Sequence, residues 1–245
     1  MAYEAKIRLY VEQDLSEGDQ ITLDKDQTHY LANVMRIAEG TVIALFNGRD
    51  GEWLATVTEA TRKKVCLNIE RQSRPQKDEP DLWLVFAPIK KARIDYIAQK
   101  ATELGVARLM PAITHRTIMS KIKVEKLIAN AREAAEQCER LNVPECVEPQ
   151  KLSKILESWP SARKIMFCDE DLSGKAASEL LQSAGSKGEP WAIIIGPEGG
   201  FDDEERAIIH NHPNSYIVSL GPRILRADTA AVAAITLWQS SLGDW

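Results

Sequence analysis

Residues 193–201 read IIIGPEGGF, and the fold of the chain turns on them. A β-branched run bounded by turn residues is the pattern of a strand buried on both faces of a parallel sheet. Gly196, Pro197, Glu198, Gly199 and Gly200 end it, and glycines there let the backbone approach a ligand. No Gly-Lys-Ser/Thr follows and the spacing is not G-x-G-x-x-G, so neither common phosphate cradle is present. The next helix opens with Asp202, Asp203, Glu204 and Glu205, where Asp202 is placed to cap and Glu205 to complete a capping box. Carboxylates at a helix N-terminus complement its dipole and repel a phosphate. The loop therefore suits a ligand without phosphate, and a plain strand-to-helix turn is the competing reading.

The same strand-then-helix rhythm extends on both sides. DLWLVFAPI (81–89) precedes ARIDYIAQKATELG (92–105), and VARLMPAI (106–113) precedes a helix around VEKLIANAREAAEQCERL (124–141). KIMFC (164–168) precedes GKAASELLQ, WAIII (191–195) precedes DDEERAIIH, and YIVSL (216–220) precedes DTAAVAAITLWQSSL. Such alternation predicts an α/β domain with a largely parallel sheet. Before residue 72 the texture differs: IRLYV, DQITL, TVIALF, EWLATV and KVCLNI are short alternating runs, with one helix expected over QTHYLANVMR (27–36). The expected organisation is a small β-rich domain over 1–72, a linker over 73–80 with prolines, charges and no periodicity, and an α/β domain over 81–245.

Polar loops follow every strand of the α/β part: APIKKAR, THR, CDED, GPEGG and LGPRILRADTA. Ligands of open α/β sheets bind beyond the carboxyl ends of the strands, so these loops mark one candidate site. The last is the most unusual. Leu220, Gly221 and Pro222 end a strand, Arg223 and Arg226 flank an apolar pair, and Asp228 is placed to cap the helix that follows.

Composition narrows the partners. No apolar run reaches the roughly 20 residues that span a bilayer. Cys66, Cys138, Cys146 and Cys168 are scattered without a C-x-x-C pair, and the four histidines lack ligand spacing, so neither a disulfide framework nor a metal site is expected and a reducing cytoplasm fits. The net charge of −5 conceals a local excess: residues 85–135 hold ten basic and four acidic residues, a net +6. A local positive field steers a polyanion. Lys90, Lys91, Arg93 and Arg116, at the ends of the first two α/β strands, are the candidate polyanion contacts there, with a solvated helical face as the alternative.

The motifs GPEGGF, LGPRILRADTA, QKATELGV, EAAEQCER followed by VP, HYLANVMR and LFNG span nearly the whole chain, and together they resemble the bacterial RsmE family. That family methylates N3 of a uridine in 16S ribosomal RNA of the small ribosomal subunit with S-adenosylmethionine, and belongs to the SPOUT class. The resemblance implies a SPOUT-type α/β trefoil-knot domain with a smaller N-terminal PUA-like β-barrel domain, acting as a homodimer. It implies a cofactor site of Cys168, of Ile195, Gly196, Pro197, Glu198, Gly199 and Gly200, and of Leu220, Gly221, Ile224, Leu225 and Arg226. In the N-terminal domain it adds Arg8, His29 and Arg36 as RNA contacts. S-adenosylmethionine carries no phosphate, in accord with the acidic helix start.

Uridine N3 must lose its proton before it attacks, and the charge spreads onto the flanking carbonyls. Cationic donors aimed there stabilise the transition state, with Arg226 the first candidate and Arg223 the second. Asp228 and Glu198 are the candidate general bases. The chain has Asp228-Thr229-Ala230 where the family usually has Glu-Thr-Ala, a carboxylate shortened by one methylene. The sulfonium already activates the methyl, so no metal is required. A noncatalytic RNA-binding or ribosome-assembly protein would share the two-domain form and the basic segment.

Overall fold

The computed structural model describes residues 5–119, 122–171 and 174–245, with the side chain of Lys91 outside that description. Two compact units result: the residues up to Asp78 together with Ala135–Asn142, and Glu79–Ala134 with Val143–Trp245.

The first unit is a five-stranded sheet of β1 (Arg8–Tyr10), β2 (Gln20–Thr22), β3 (Val42–Phe46), β4 (Glu52–Ala60) and β5 (Val65–Arg74), in the order β1-β3-β4-β5-β2. Only the β1–β3 pair is parallel. In β5, Val65, Leu67 and Ile69 alternate with less buried residues and face a core shared with Ile43, Leu45 and Val57. Register shifts at three points along β4–β5 increase the twist and curl the sheet. β1 and β2 remain its two edges, so the curl gives a half-barrel instead of a closed one. β5 continues to Arg74, past the boundary expected at residue 72. The expected helix begins earlier and is two elements: α1 (Lys25–His29), capped reciprocally by Asp24 and Gln27, then a π-helical turn over Tyr30–Val34.

Arg8 corrects an expectation. It was a candidate RNA contact, yet its side chain is only 4% exposed and pairs with the equally buried Glu52 at 2.7 Å. Its Nη atoms donate to the carbonyls of Ala135, Glu136 and Arg140, and its guanidinium lies 4.4 Å from the Phe46 ring centroid. A guanidinium with its donors spent inside the fold cannot reach a phosphate. Sequence position alone gave no sign of this, because an arginine in a short strand reads as a surface residue.

The second unit runs β6 (Leu82–Phe86), α2 (Lys91–Glu103), β7 (Arg108–Ile113), α3 (Val124–Cys138), β8 (Glu145–Cys146), β9 (Gln150–Lys151), α4 (Leu152–Glu157), β10 (Lys164–Cys168), β11 (Lys175–Ala176), α5 (Ala177–Ala184), β12 (Trp191–Ile195), α6 (Asp203–His210), β13 (Ser215–Ser219) and α7 (Ala227–Leu242). The last turn of α3 belongs with the first unit. The sheet order is β11-β13-β10-β12-β6-β7-β8, with β9 also on β7, and every pair is parallel. β12 is central and buried throughout, as its isoleucine run requires. Trp191, Ile193 and Ile195 face a core with α2, α5 and α7, while Ala192 and Ile194 face one with α4 and α6. β13, the last strand of the chain, lies between β10 and β11, which are consecutive in sequence. This inserted order is the one expected of a knotted C-terminal segment. Among the described residues no helix is long and apolar enough to cross a membrane.

Candidate active site

β10, β12 and β13 are neighbours and parallel, so all three chains leave the sheet at one edge. Their following segments surround a cavity of about 230 Å³. Ten of the twelve expected cofactor residues line it: Cys168 from β10, Ile195, Gly196, Pro197 and Glu198 from the β12 end, and Leu220, Gly221, Ile224, Leu225 and Arg226 beyond β13. Arg223 also lines it. Sequence reasoning missed Asp169, Glu170, Phe201, Ala227 and Ala230, although CDED after β10 held the signal for the first two.

The remaining two expected residues, Gly199 and Gly200, do not line the cavity. A β-carbon on Gly199 would meet Arg116 Cβ at 3.5 Å, an ordinary contact, and Arg116 Nη1 donates to the Gly199 carbonyl at 3.0 Å. Gly200 has φ +68°, and the Glu170 carboxylate fills the space of its missing side chain. Gly196 is needed because the Phe201 ring would stand 2.7 Å from a β-carbon there; that ring packs edge-on against Phe167. Neighbouring side chains thus account for Gly196 and Gly200, while Gly199 has room for a β-carbon.

Acidic groups gather on one side. Asp169 is fully buried, accepts from His210 Nε2 at 2.9 Å and lies 3.1 Å from Arg206 Nε. Arg206 Nη2 reaches Glu170 at 3.4 Å. Burial raises the Glu170 carboxyl above its usual range, and Arg206 opposes this only in part. Burial likewise pushes the Cys168 thiol up, so it lines the wall as a neutral group.

The α6 start is built as expected. Glu205 N donates to Asp202 at 2.8 Å, and the Glu205 side chain accepts from Asp202 N. His115 Nδ1 bonds Asp202 from the loop after β7, and Glu205 accepts from His115 N at 2.9 Å. The Glu205 backbone donor, then His115, lower the Asp202 carboxyl, and Asp202 raises His115. The side-chain ligand atoms of His115, Asp202 and Glu205 lie within 4.8 Å of one another, a grouping that spacing along the chain does not reveal. The capping and backbone donors already occupy these carboxylates.

The four candidate catalytic residues divide in two. Arg223 and Arg226 are exposed and have no intramolecular ion pair or side-chain hydrogen bond among the described residues. Glu198 and Asp228 converge on Arg93, with Nη1 3.1 Å from Glu198 and Nε 3.7 Å from Asp228. The expected cap at Asp228 is corrected: Arg226 is the N-cap of α7, without a side-chain cap bond, and Asp228 stands in the first turn, bonded to Thr229 N at 2.9 Å. Among the other RNA candidates, Lys90 is exposed at the N-cap of α2, and His29 and Arg36 are exposed in the first unit.

The chain matches the model of the RNA methyltransferase domain over residues 76–239 and that of the RNA methyltransferase PUA domain over 23–70. It is 31% identical over 229 residues to ribosomal RNA small subunit methyltransferase E of Rickettsia conorii, covering 93% of each chain. The methyltransferase of the same name from Bacillus subtilis is 27% identical, with 91% of each chain covered. The Neisseria gonorrhoeae methyltransferase of that name, solved with S-adenosyl methionine, superposes with a TM-score of 0.87 at 26% identity, over 98% of this chain and 99% of that one. A Legionella pneumophila methyltransferase solved with SAM gives 0.88 at 30% identity over the same shares. The SPOUT-type fold with its N-terminal PUA domain agrees with what the motifs implied, and the chain belongs to the RNA methyltransferase family.

Proposed function

We propose that this protein methylates N3 of a uridine in 16S ribosomal RNA of the small ribosomal subunit, using S-adenosylmethionine, as a cytoplasmic homodimer. The observation that carries the reading is the cavity at the ends of β10, β12 and β13, where apolar walls meet acidic groups and two arginines that have no ion pair among the described residues. The residues fit the cofactor. Ile195, Leu220, Ile224 and Leu225 offer apolar surface for an adenine ring, and Asp169, Glu170 and Glu198 favour a cationic ligand. The capped, acidic start of α6 disfavours a phosphate.

When bound, the cofactor supplies a methyl group already activated by its sulfonium. The chain supplies position and charge. Arg226, with Arg223, lines the cavity and makes no side-chain hydrogen bond among the described residues, which suits it to stabilise negative charge on the uridine carbonyls. Asp228 and Glu198 are the carboxylates assigned to the N3 proton in this reading: Glu198 lines the cavity, and both contact Arg93. Lys90 extends positive charge from the α2 start for RNA phosphates, with Lys91 beside it in the sequence.

The test is radiolabelled methyl transfer to small subunits from a strain lacking the enzyme, followed by nucleoside analysis. Label in 3-methyluridine is expected, and Arg226→Ala should lower turnover by about a hundredfold while S-adenosylmethionine affinity stays within several-fold. Near-normal turnover at saturating RNA removes Arg226 from the mechanism. Absence of cofactor binding would favour a noncatalytic role in ribosome assembly.

A further inference from the structure

Arg93 stands at an electrostatically unfavourable place. It lies in the first turn of α2, which contains no acidic residue and starts from Lys90 without a side-chain cap. A cation there opposes the helix dipole. Its contacts supply the compensation: Glu198 from the loop after β12 and Asp228 from the first turn of α7. Among the described residues neither carboxylate has another cationic partner. The support beneath Arg93 is firm, since Ile94, Ile97, Ala98 and Ala101 of α2 are buried in the core.

We propose that Arg93 is a positioning residue that ties the loop after β12 to the start of α7 through Glu198 and Asp228, holding two walls of the cavity in the form that accepts the cofactor. This rests on the methyltransferase reading of that cavity. The segment beyond β13 needs such a tie: Gly221 has φ +109° with open space where a β-carbon would stand, and Ile224 is 81% exposed. The pairs are partly sheltered, with side-chain exposure of 28% for Arg93, 33% for Glu198 and 18% for Asp228. Shelter of this degree strengthens a charge-assisted bond over one at an open surface. The planar fork of arginine can hold two carboxylates from different directions, which the point charge of lysine does less well. Arg93 is thereby occupied within the fold, and the phosphate contact expected for it gives way to this role.

The test compares the parent with Arg93→Met, Arg93→Lys and Glu198→Gln, by backbone amide exchange without cofactor and by calorimetric titration with S-adenosylmethionine. Arg93→Met should speed exchange in residues 198–201 and 221–228 together and weaken cofactor binding about tenfold, with Arg93→Lys recovering part of both. Glu198→Gln, a change in one loop, should also speed exchange in 221–228, which a local packing role would not produce. Unchanged exchange in Arg93→Met, or a change confined to one loop, overturns the tie. A parent protein that does not bind S-adenosylmethionine defeats the methyltransferase reading instead, and the exchange result still decides whether Arg93 joins the two loops.

Discussion

The carboxylate of Glu170 occupies the volume that a β-carbon on Gly200 would fill. Gly200 also has φ +68°, where a β-carbon costs about 1–2 kcal/mol. Gly200→Ala should therefore destabilise the protein by about that amount in urea unfolding and push a cavity carboxylate aside. Calorimetry should show weaker S-adenosylmethionine binding, with little further loss on adding Glu170→Gln. Gly199→Ala should keep parent stability and affinity within threefold, since its new methyl would make only an ordinary contact with Arg116. Equal effects from the two alanines would contradict this assignment of the loop.

Arg8→Met should cost about 3 kcal/mol in urea unfolding, because it leaves Glu52 buried without its close cation. Arg74, 3.6 Å from Glu52, and Ser73 Oγ, which donates to it at 2.9 Å, limit the loss. The salt dependence of RNA binding should not change at temperatures where the variant is folded. A loss below 1 kcal/mol with a shallower salt slope would return Arg8 to the RNA surface.

His115 should couple stability to pH. Its hydrogen bond to Asp202 raises it above the ordinary histidine value, so its contribution is complete below about pH 6.5 and lost as pH rises through the folded value. Asp202 is shifted down, so its contribution holds above about pH 3.9 and disappears as pH falls through its own folded value. The difference in thermal midpoint between the parent and His115→Gln should be largest near pH 5–6 and shrink toward pH 9. An NMR titration placing the His115 midpoint at or below 6.5 would refute the coupling.

Lys90→Ala should make the slope of log affinity for RNA against log salt shallower by about one unit, with cofactor binding unchanged. Arg93→Met should leave that slope parallel to the parent, because its guanidinium is engaged by Glu198 and Asp228. Parallel slopes for Lys90→Ala would make the α2 start an ordinary solvated surface.

What the sequence revealed was what local pattern controls. The isoleucines of β12 announced a strand covered on both faces, and Asp202 with Glu205 announced a capping box, because each signal lies within a few residues. Two-residue strands such as β8 and β9 carry too little periodicity to read, and the N-cap of α4, Lys151, makes no side-chain cap bond. The site was legible as a set of strand-end loops. The occupants of its glycine spaces were not, since Glu170 and Phe201 arrive there through tertiary packing. Arg93 illustrates the same limit: a basic segment shows charge, and only the fold shows that two acids neutralise this member of it.

The buried guanidinium of Arg8 also sets a timetable for synthesis. Glu52 is available to it early, but the carbonyls of Ala135, Glu136 and Arg140 come from residues 127 to 132 positions later in the chain. At about 5–20 residues per second, a ribosome needs several seconds to carry the chain from Glu52 to Arg140. Through that interval Arg8 has Glu52 as a partner but not its three carbonyl acceptors, so the full set of its bonds is made only when the end of α3 has been synthesised. A fragment ending at Asp78 would lack these acceptors permanently, and the N-terminal unit is therefore completed in time by a piece of chain from beyond its own sequence boundary.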